Sequence, residues 1–547
     1  MQLDENALLI LRERYLLRDE AGNLLETTDE LFRRVALAIS KVEDNYPDGR
    51  REEMSEAFYK MMTNLEFLPN SPTLMNAGRP LGQLAACFVL PVEDSLDSIF
   101  DQIKLTAKIH QTGGGTGFSF SRLRPKNDVV RSTRGVASGP VSFIRVFNCA
   151  TEAIKQGGTR RGANMGILRV DHPDIEEFVT VKRSPSELTN FNLSVAVSDD
   201  FMSSYEKDED FALVNPRTKK ETRKISARRL LRLIAESAWA SGDPGVVFID
   251  AVNRANPTPH IGEIEATNPC GEQPLLPYES CCLGSINLSR LSTDGDINWH
   301  RLKELIHLGV RFLDNVVDAG TYPSERISAI TRGNRKIGLG VMGFAHLLIQ
   351  LGIPYDSNDA ERIGEKIISF IQKESKVASN RLAAERGPFP NFKGSVWDKN
   401  NLLQRNATTT TIAPTGTLSI IAGTSSGIEP IFDINYKRLL LGGVEVDVED
   451  PLWWKIKDQP DAEEKLRRLF RKAYQVNPLA HLEIQKIFQN HVDNAVSKTV
   501  NLPENATVDD ILRIYVEAHR MGLKGTTVFR NKSREYQILS CGTHQIC

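Results

Sequence analysis

Apolar residues recur at helical spacing from residue 8 to about residue 65. Thr27-x-x-Glu30 predicts a capping box, and behind it Phe32, Val35, Ala36 and Ile39 share one helical face. Past Pro69-Asn70-Ser71-Pro72 the pattern changes. Short β-like runs at 117–123, 165–170, 192–198, 246–250, 408–413 and 526–530 alternate with helical segments such as 95–111, 140–156 and 227–241. That alternation predicts an α/β barrel or wound sheet. The longest apolar stretch, 337–353, carries glycine and polar interruptions including His346 and Gln350, and predicts a buried helix rather than a membrane span. No repeat and no Pro/Ser-rich linker is visible. Residues 442–475 read as a surface elaboration, and the last dozen as a mobile tail.

Composition narrows the class. The chain has 547 residues, 40 % hydrophobic and 25 % charged, with 68 Lys+Arg against 70 Asp+Glu for a net charge of −2. This excludes disordered, fibrous and disulfide-scaffold proteins, and gives no bias toward nucleic acid or an anionic membrane. Length alone would allow three or four domains. Seven cysteines are too few, and odd in number, for a stapled secreted module. The acidic start, Met1-Gln-Leu-Asp-Glu5, has no basic n-region, so the expected location is cytoplasmic.

Several segments carry chemistry. Asn268-Pro-Cys-Gly-Glu-Gln273 puts a thiol, a carboxylate and an amide within reach of one small ligand. That trio suits thiol chemistry, radical or nucleophilic, with an acid or base beside it; a cysteine in a tight turn is the plainer alternative. Cys87 lies in an apolar run, and Cys281-Cys282 follow Cys270 by eleven and twelve residues. Each reads as core unless they converge, in which case dithiol–disulfide chemistry follows. No Cys-x-x-Cys pair or His cluster suggests a metal site. Gly113-Gly-Gly-Thr-Gly117 and Pro414-Thr-Gly-Thr-Leu-Ser419 are Gly-rich loops; the second follows a β-like run and leads into an apolar one, the outline of a phosphate cradle. Neither is a P-loop or a dinucleotide fingerprint, and each alone is also an ordinary turn. Arg122, Arg124, Lys126, Arg131 and Arg134, then Gly157-Gly-Thr-Arg-Arg-Gly-Ala-Asn164, are basic loops suited to a triphosphate or simply to solvent.

Taken together these residues resemble the ribonucleotide reductase catalytic chain, most closely its dimeric adenosylcobalamin-dependent (class II) form. The match includes Leu68-Pro-Asn-Ser-Pro-Thr-Leu-Met-Asn-Ala-Gly78, Cys87 with Val92-Glu-Asp-Ser-Leu-Asp-Ser-Ile99, Gly157 to Met165, Ala266 to Gln273, Arg335-Lys-Ile-Gly-Leu-Gly-Val-Met-Gly343 and Ala413 to Ser419. The resemblance implies a ten-stranded α/β barrel with a central finger loop (71–535), a helical N-terminal region (1–70) and a flexible tail (536–547). It implies that Cys270 becomes a thiyl radical, Glu272 acts as acid/base, Asn268 binds the ribose hydroxyls, and Cys87 with Cys281 is the redox pair. Cys282 is left to packing. Substrate phosphates fall to Ser71 and the loop Pro414, Thr415, Gly416, Thr417, Leu418 and Ser419. A dNTP effector that sets substrate specificity falls to Asp94, Arg131, Arg134, Gly158, Arg160 and Arg161, beside helices that pack across a homodimer. A thioredoxin- or glutaredoxin-type reductant is implied, with Cys541 and Cys547 as tail shuttle thiols. The implied reaction reduces ribonucleotides, expected as diphosphates, to 2′-deoxyribonucleotides, with adenosylcobalamin as cofactor and no protein-bound metal, nucleic acid or membrane partner.

The iron-dependent class I form brings its radical through two adjacent tyrosines near the C-terminus. The segment Lys524-Gly-Thr-Thr-Val-Phe-Arg530 has none, so the radical is expected to arise locally. The glycyl-radical form is disfavoured, and the missing Asp-x-His-x-x-Gly sequence does not count against cobalamin. No ATP-cone is expected before the helices. Cys541-x5-Cys547 is looser than the family's usual tail pair. The alternatives are a diverged class I large subunit, an inactive nucleotide-binding regulatory paralogue, and an ordinary thiol–disulfide oxidoreductase.

Overall fold

The computed structural model describes residues 3–47, 49–130, 134–156, 160–293, 295–439, 445–533 and 539–541. The chain opens with helices α1 (Glu5–Arg14), α2 (Thr28–Ser40), α3 (Arg51–Thr63) and α4 (Ser71–Asn76). The capping box on α2 is present: Glu30 N–H donates to the Thr27 hydroxyl, and the Thr27 N–H donates to the Glu30 carboxylate at 2.7 Å. Leu31, Phe32, Val35, Ala36 and Ile39 form its buried face. At about 1.5–3 kcal/mol for each large apolar side chain, that face rather than intrinsic propensity holds the helix down.

Nine strands follow: β1 (Cys87–Pro91), β2 (Gly115–Ser119), β3 (Asn164–Arg169), β4 (Phe191–Val197), β5 (Gly245–Phe248), β6 (Glu279–Asn287), β7 (Ile337–Met342), β8 (Thr499–Leu502) and β9 (Gly525–Arg530). β1 through β5 pair in parallel, in sequence order. β7 pairs in parallel with β6 and β9 with β8. Segment 408–412 is the tenth stave: Leu339 bridges Thr410, and Ile412 bridges Val496 just ahead of β8. The ring closes through two antiparallel seams, β6 against β1 and β9 against β5. The barrel is therefore two five-stave parallel halves set head to tail. Phe67–Pro69 adds to the edge of β6.

Alternate strand residues separate two cores. Cys87, Val89, Met165, Ile167, Ala196, Val247, Cys281 and Leu283 pack inside the barrel with Ala266 and Leu275. Phe88, Leu90, Leu168, Val195, Phe248, Cys282 and Ile286 pack outward under the helices. Those helices include α5 (Leu96–Gln111), α6 (Pro140–Ala153), α7 (Ala227–Ser241), α8 (Trp299–Ala319), α9 (Phe344–Gln350), α10 (Asn358–Arg386), α11 (Gly416–Ile421) and α12 (Val508–Arg520).

The run 337–353 is not one helix. Ile337–Met342 is strand β7, Gly343 takes the left-handed conformation (φ +80°), and α9 follows. A continuous apolar run has no period to separate strand from helix, so its hydropathy was silent on this point. Within the expected tail, Leu539–Cys541 is a strand on the edge of the hairpin Asn435–Leu439 and Glu445–Glu449. No described helix is long and apolar enough to cross a membrane.

Buried ion pairs join the N-terminal helices to the barrel. Asp314 on α8 accepts from Arg335, Arg386 and Arg405 at 2.8, 3.0 and 3.3 Å. Glu43, just past α2, accepts from Arg311 and Arg386 at 2.6 and 2.8 Å. Despite burial, which alone would raise them, these guanidinium groups hold both carboxyls down to about 2.

Candidate active site

A short hairpin of Ala266–Thr267 and Pro274–Leu275 carries the loop 268–273 into the barrel. Gly271 takes φ +82° at the turn, where its N–H donates to the Asn268 carbonyl at 3.1 Å. The Asn268 side-chain oxygen accepts the Gln273 N–H at 2.9 Å, closing the loop on itself. The barrel wall makes room with glycine: a Cβ on Gly117 would stand 1.7 Å from the Thr267 carbonyl oxygen. Asn192 on β4 donates to the Pro269 carbonyl at 2.8 Å and anchors the tip. From the other half, the Ala495 N–H and the Thr411 hydroxyl each reach the Glu272 carbonyl at 2.9 Å.

Cys270, Asn268, Glu272, Cys87 and Cys281 are brought together. The Asn268 amide donates to Cys87 Sγ at 3.1 Å, and Cys87 Sγ lies 4.0 Å from Glu272 Oε1. Cys87 and Cys281 are direct partners across the β1–β6 seam. Opposed residues on antiparallel strands sit at Cα separations that a disulfide spans. Cys281 Sγ points to the Lys336 carbonyl at 3.4 Å. Cys282, one residue on, faces the outer core.

Electrostatics separate these groups. Burial pushes the Glu272 carboxyl up to about 7, and hydrogen bonding from Asn268 offsets only part of that rise. Its Oε2 has no hydrogen-bond partner, and neither side-chain polar atom of the fully buried Gln273 has one. Burial also raises the Cys87 and Cys281 thiols, with Glu272 adding to both. Cys270 alone of the three is exposed, and it opens into a cavity of about 600 Å³. The cavity is also lined by Pro414, Gly416, Ser419 and Lys524 and by the aromatic residues Phe432, Tyr436 and Tyr474. Among the described residues no cluster of His, Cys, Asp and Glu suits a metal ion.

At the loop 414–419, Thr415 takes a left-handed turn (φ +50°) and α11 begins at Gly416, with Leu418 packed beneath and the Ser419 hydroxyl 2.9 Å from Ser426. Sequence reasoning missed the residues that join this loop to Ser71. Arg14 donates to the Thr417 hydroxyl at 3.1 Å, and the Tyr15 hydroxyl pairs with Ser71 at 2.8 Å, so the end of α1 bridges both. Only the basic character of Arg12-Glu-Arg14 was available as a signal.

The expected effector residues are less gathered. Asp94 accepts from Arg124 at 2.8 Å, and Arg122 pairs with Glu265 at 2.8 Å, so two of the basic side chains are neutralised within the chain. Arg134 is exposed in a left-handed turn. Arg160 and Arg161 pair by backbone with 155–156. Arg131, Gly158 and Cys547 lie outside the described residues, and Cys541 is described by its backbone alone.

Residues 1–82 match the family described as ribonucleotide reductase, all-alpha domain, and residues 85–529 match ribonucleotide reductase, barrel domain. The chain is 47 % identical to a vitamin B12-dependent ribonucleoside-diphosphate reductase of Thermoplasma acidophilum, over 99 % of this chain and 81 % of that one. It is 49 % identical to a protein of the same description from Mycobacterium tuberculosis, covering 99 % and 79 %. A ribonucleoside-diphosphate reductase subunit alpha of Treponema pallidum is 28 % identical, covering 98 % and 70 %.

Proposed function

Because this chain belongs to the ribonucleotide reductase family, we propose that it is an adenosylcobalamin-dependent ribonucleoside-diphosphate reductase. The observation that carries the reading is the buried Glu272 carboxyl, with an unpartnered Oε2, beside Cys87 and below the exposed Cys270. A ribose hydroxyl supplies the partner that Oε2 lacks.

In this reading the Cys270 thiyl takes the 3′-hydrogen while Glu272 takes the 3′-hydroxyl proton. The 2′-hydroxyl leaves as water with a proton from Cys87. Cys87 and Cys281 supply two electrons and end as a disulfide, their second hydrogen going to C2′; the balance closes when Glu272 returns its proton to the 3′-oxygen and Cys270 returns a hydrogen to C3′. Asn268 holds the ribose hydroxyls. A carboxyl poised near 7 exchanges protons readily at neutral pH. Enclosure keeps water from the carbon radical. Ser71 and Pro414 to Ser419 hold the phosphates, with Arg14 at their junction.

Residues lining the cavity that Cys270 shares suit the cofactor chemically: Phe432, Tyr436 and Tyr474 would offer it aromatic surface, and Ser425, Ser426 and Ser497 hydroxyls. When bound, adenosylcobalamin supplies a one-electron oxidant by cobalt–carbon homolysis.

A homodimer through α5 and α6 fits the exposed Leu96, Phe100 and Val146 on those helices, at 64, 54 and 38 % exposure. A dNTP effector binds beside them at Asp94 and the basic loops. A thioredoxin- or glutaredoxin-type dithiol in the cytoplasm restores Cys87 and Cys281, relayed by Cys541 and Cys547. The test is incubation of the protein with CDP, adenosylcobalamin and dithiothreitol, with deoxycytidine diphosphate as the expected product. Turnover that needs a di-metal partner subunit instead of the cofactor overturns the reading in favour of a diverged class I subunit.

A further inference from the structure

Three lysines near the segment 493–495 have no part in the chemistry above. Lys336 pairs with Glu279 at 2.8 Å, and Lys376 with Asp493 at 2.5 Å. Lys524 differs. It stands at the β5–β9 seam, where its carbonyl accepts the Phe248 N–H at 3.0 Å, and it lines the cavity. Its ammonium donates to the main-chain carbonyls of Asp493, at 2.8 Å, and Asn494.

The next residue is Ala495, whose N–H holds the Glu272 carbonyl at 2.9 Å. The segment is fixed on its other side as well: the Asn494 N–H reaches the Thr410 carbonyl at 3.1 Å, and the Ile412 N–H reaches the Ala495 carbonyl at 3.1 Å. The single peptide group between Asn494 and Ala495 thus links a buried cation, at its carbonyl, to the backbone of the acid–base residue, at its N–H. We propose that Lys524 is a positioning residue, whose ammonium draws the 493–495 segment against the finger loop and so sets where the Glu272 carboxyl stands.

A charged donor makes stronger hydrogen bonds than a neutral one, and an ammonium has three N–H groups where an amine has two. Burial lowers Lys524 to about 8; Lys336 adds to the fall and Asp493 opposes it. The charged groups facing it are thus Lys336 with its partner Glu279, and Asp493 with its partner Lys376. The clamp is half charged at about pH 8, gains charge as the pH falls and loosens as it rises.

This inference rests on the acid–base role of Glu272, so its first readout avoids catalysis. Amide exchange at Ala495, measured without substrate or cofactor, is expected to quicken about tenfold or more in Lys524→Met, the loss of one charge-assisted hydrogen bond. In the holoenzyme, Lys524→Met is expected to lower kcat by about tenfold with KM little changed. Lys524→Arg, which stays charged, is expected to restore kcat in large part and to shift the alkaline limb of the kcat profile above about pH 10. Unchanged Ala495 exchange in Lys524→Met, or an alkaline limb left near 8 in Lys524→Arg, overturns the proposal. Faster exchange together with an active Glu272→Gln variant leaves the clamp standing and removes the role given to Glu272.

Discussion

Cys87 stands directly across the antiparallel seam from Cys281, and Cys281 turns its side chain into the barrel while Cys282 turns outward. The sidedness follows from the two-residue period of a strand. It gives two adjacent cysteines separate environments: one inside the barrel near Glu272, the other in an outer core that pushes its thiol up to about 12.

Mild oxidation is therefore expected to join Cys87 to Cys281. Peptide mapping of the oxidised protein reads the pairing. Cys281→Ser is expected to abolish turnover with a dithiol reductant, and Cys282→Ser to retain it at a stability cost of about 1 kcal/mol. A Cys87–Cys282 disulfide would sink the assignment.

Glu272 gives a pH prediction. Its folded pKa is raised, from 4.5 to about 7, so the neutral form is the one the fold accommodates. Any relative stabilisation is complete below about pH 4.5 and is lost as the pH rises through 7. Glu272→Gln is expected to abolish activity, and to raise stability at pH 8.5 by as much as about 3 kcal/mol while changing little at pH 4. Denaturant midpoints at the two pH values decide it; equal shifts at both would contradict the buried-carboxyl account.

Gly117 tests the close approach of strand and loop. A Cβ there would overlap the Thr267 carbonyl oxygen at 1.7 Å, and backbone cannot swing aside as a side chain can. Gly117→Ala is expected to displace the finger loop and to cut kcat about a hundredfold or more, since an ångström of misplacement costs that much. Gly262, whose added Cβ would meet only Leu276 Cδ2 at 3.9 Å, is the control and should tolerate alanine.

Asp314 anchors three guanidinium groups with no exposure of its own. Removing its charge strands buried cations, so Asp314→Asn is expected to cost about 3–5 kcal/mol in chemical denaturation. Its carboxyl is lowered to about 2, so the contribution is full above about pH 4 and fades as the pH falls through 2. A loss under about 1 kcal/mol would show that the network relaxes around the change.

Much of the scaffold could be read from the chain. The capping box at Thr27 and Glu30, the strands near 165, 192 and 246, and helix α7 at Ala227–Ser241 follow from local pattern, which is the part of folding that a short window carries. Strand β6 did not show itself, because both its faces are buried and hydropathy then loses its alternation. The orientation of Cys281 and Cys282 was hidden for the same reason. The pairing of Arg122 with Glu265 spans 143 residues, and the meeting of Arg14 with Thr417 spans 403; no local signal encodes either. Lys524 looked like one more basic residue, and its burial depends on the seam it occupies.

The order of staves has a consequence for synthesis. β9 is the last barrel strand made, yet it lies between β5 and β8 and closes the ring. The segment whose Ala495 N–H holds the Glu272 carbonyl also comes late, at 493–495. A chain still leaving the ribosome can build β1 through β4 in sequence, but it has no closed wall around Cys270 until β9, at Gly525–Arg530, has been made. Contacts that join distant parts of a chain form late. A polypeptide that has not yet reached β9 would thus carry the reactive cysteine without the enclosure in which a radical can be handled safely, and competence to start the chemistry waits on that strand.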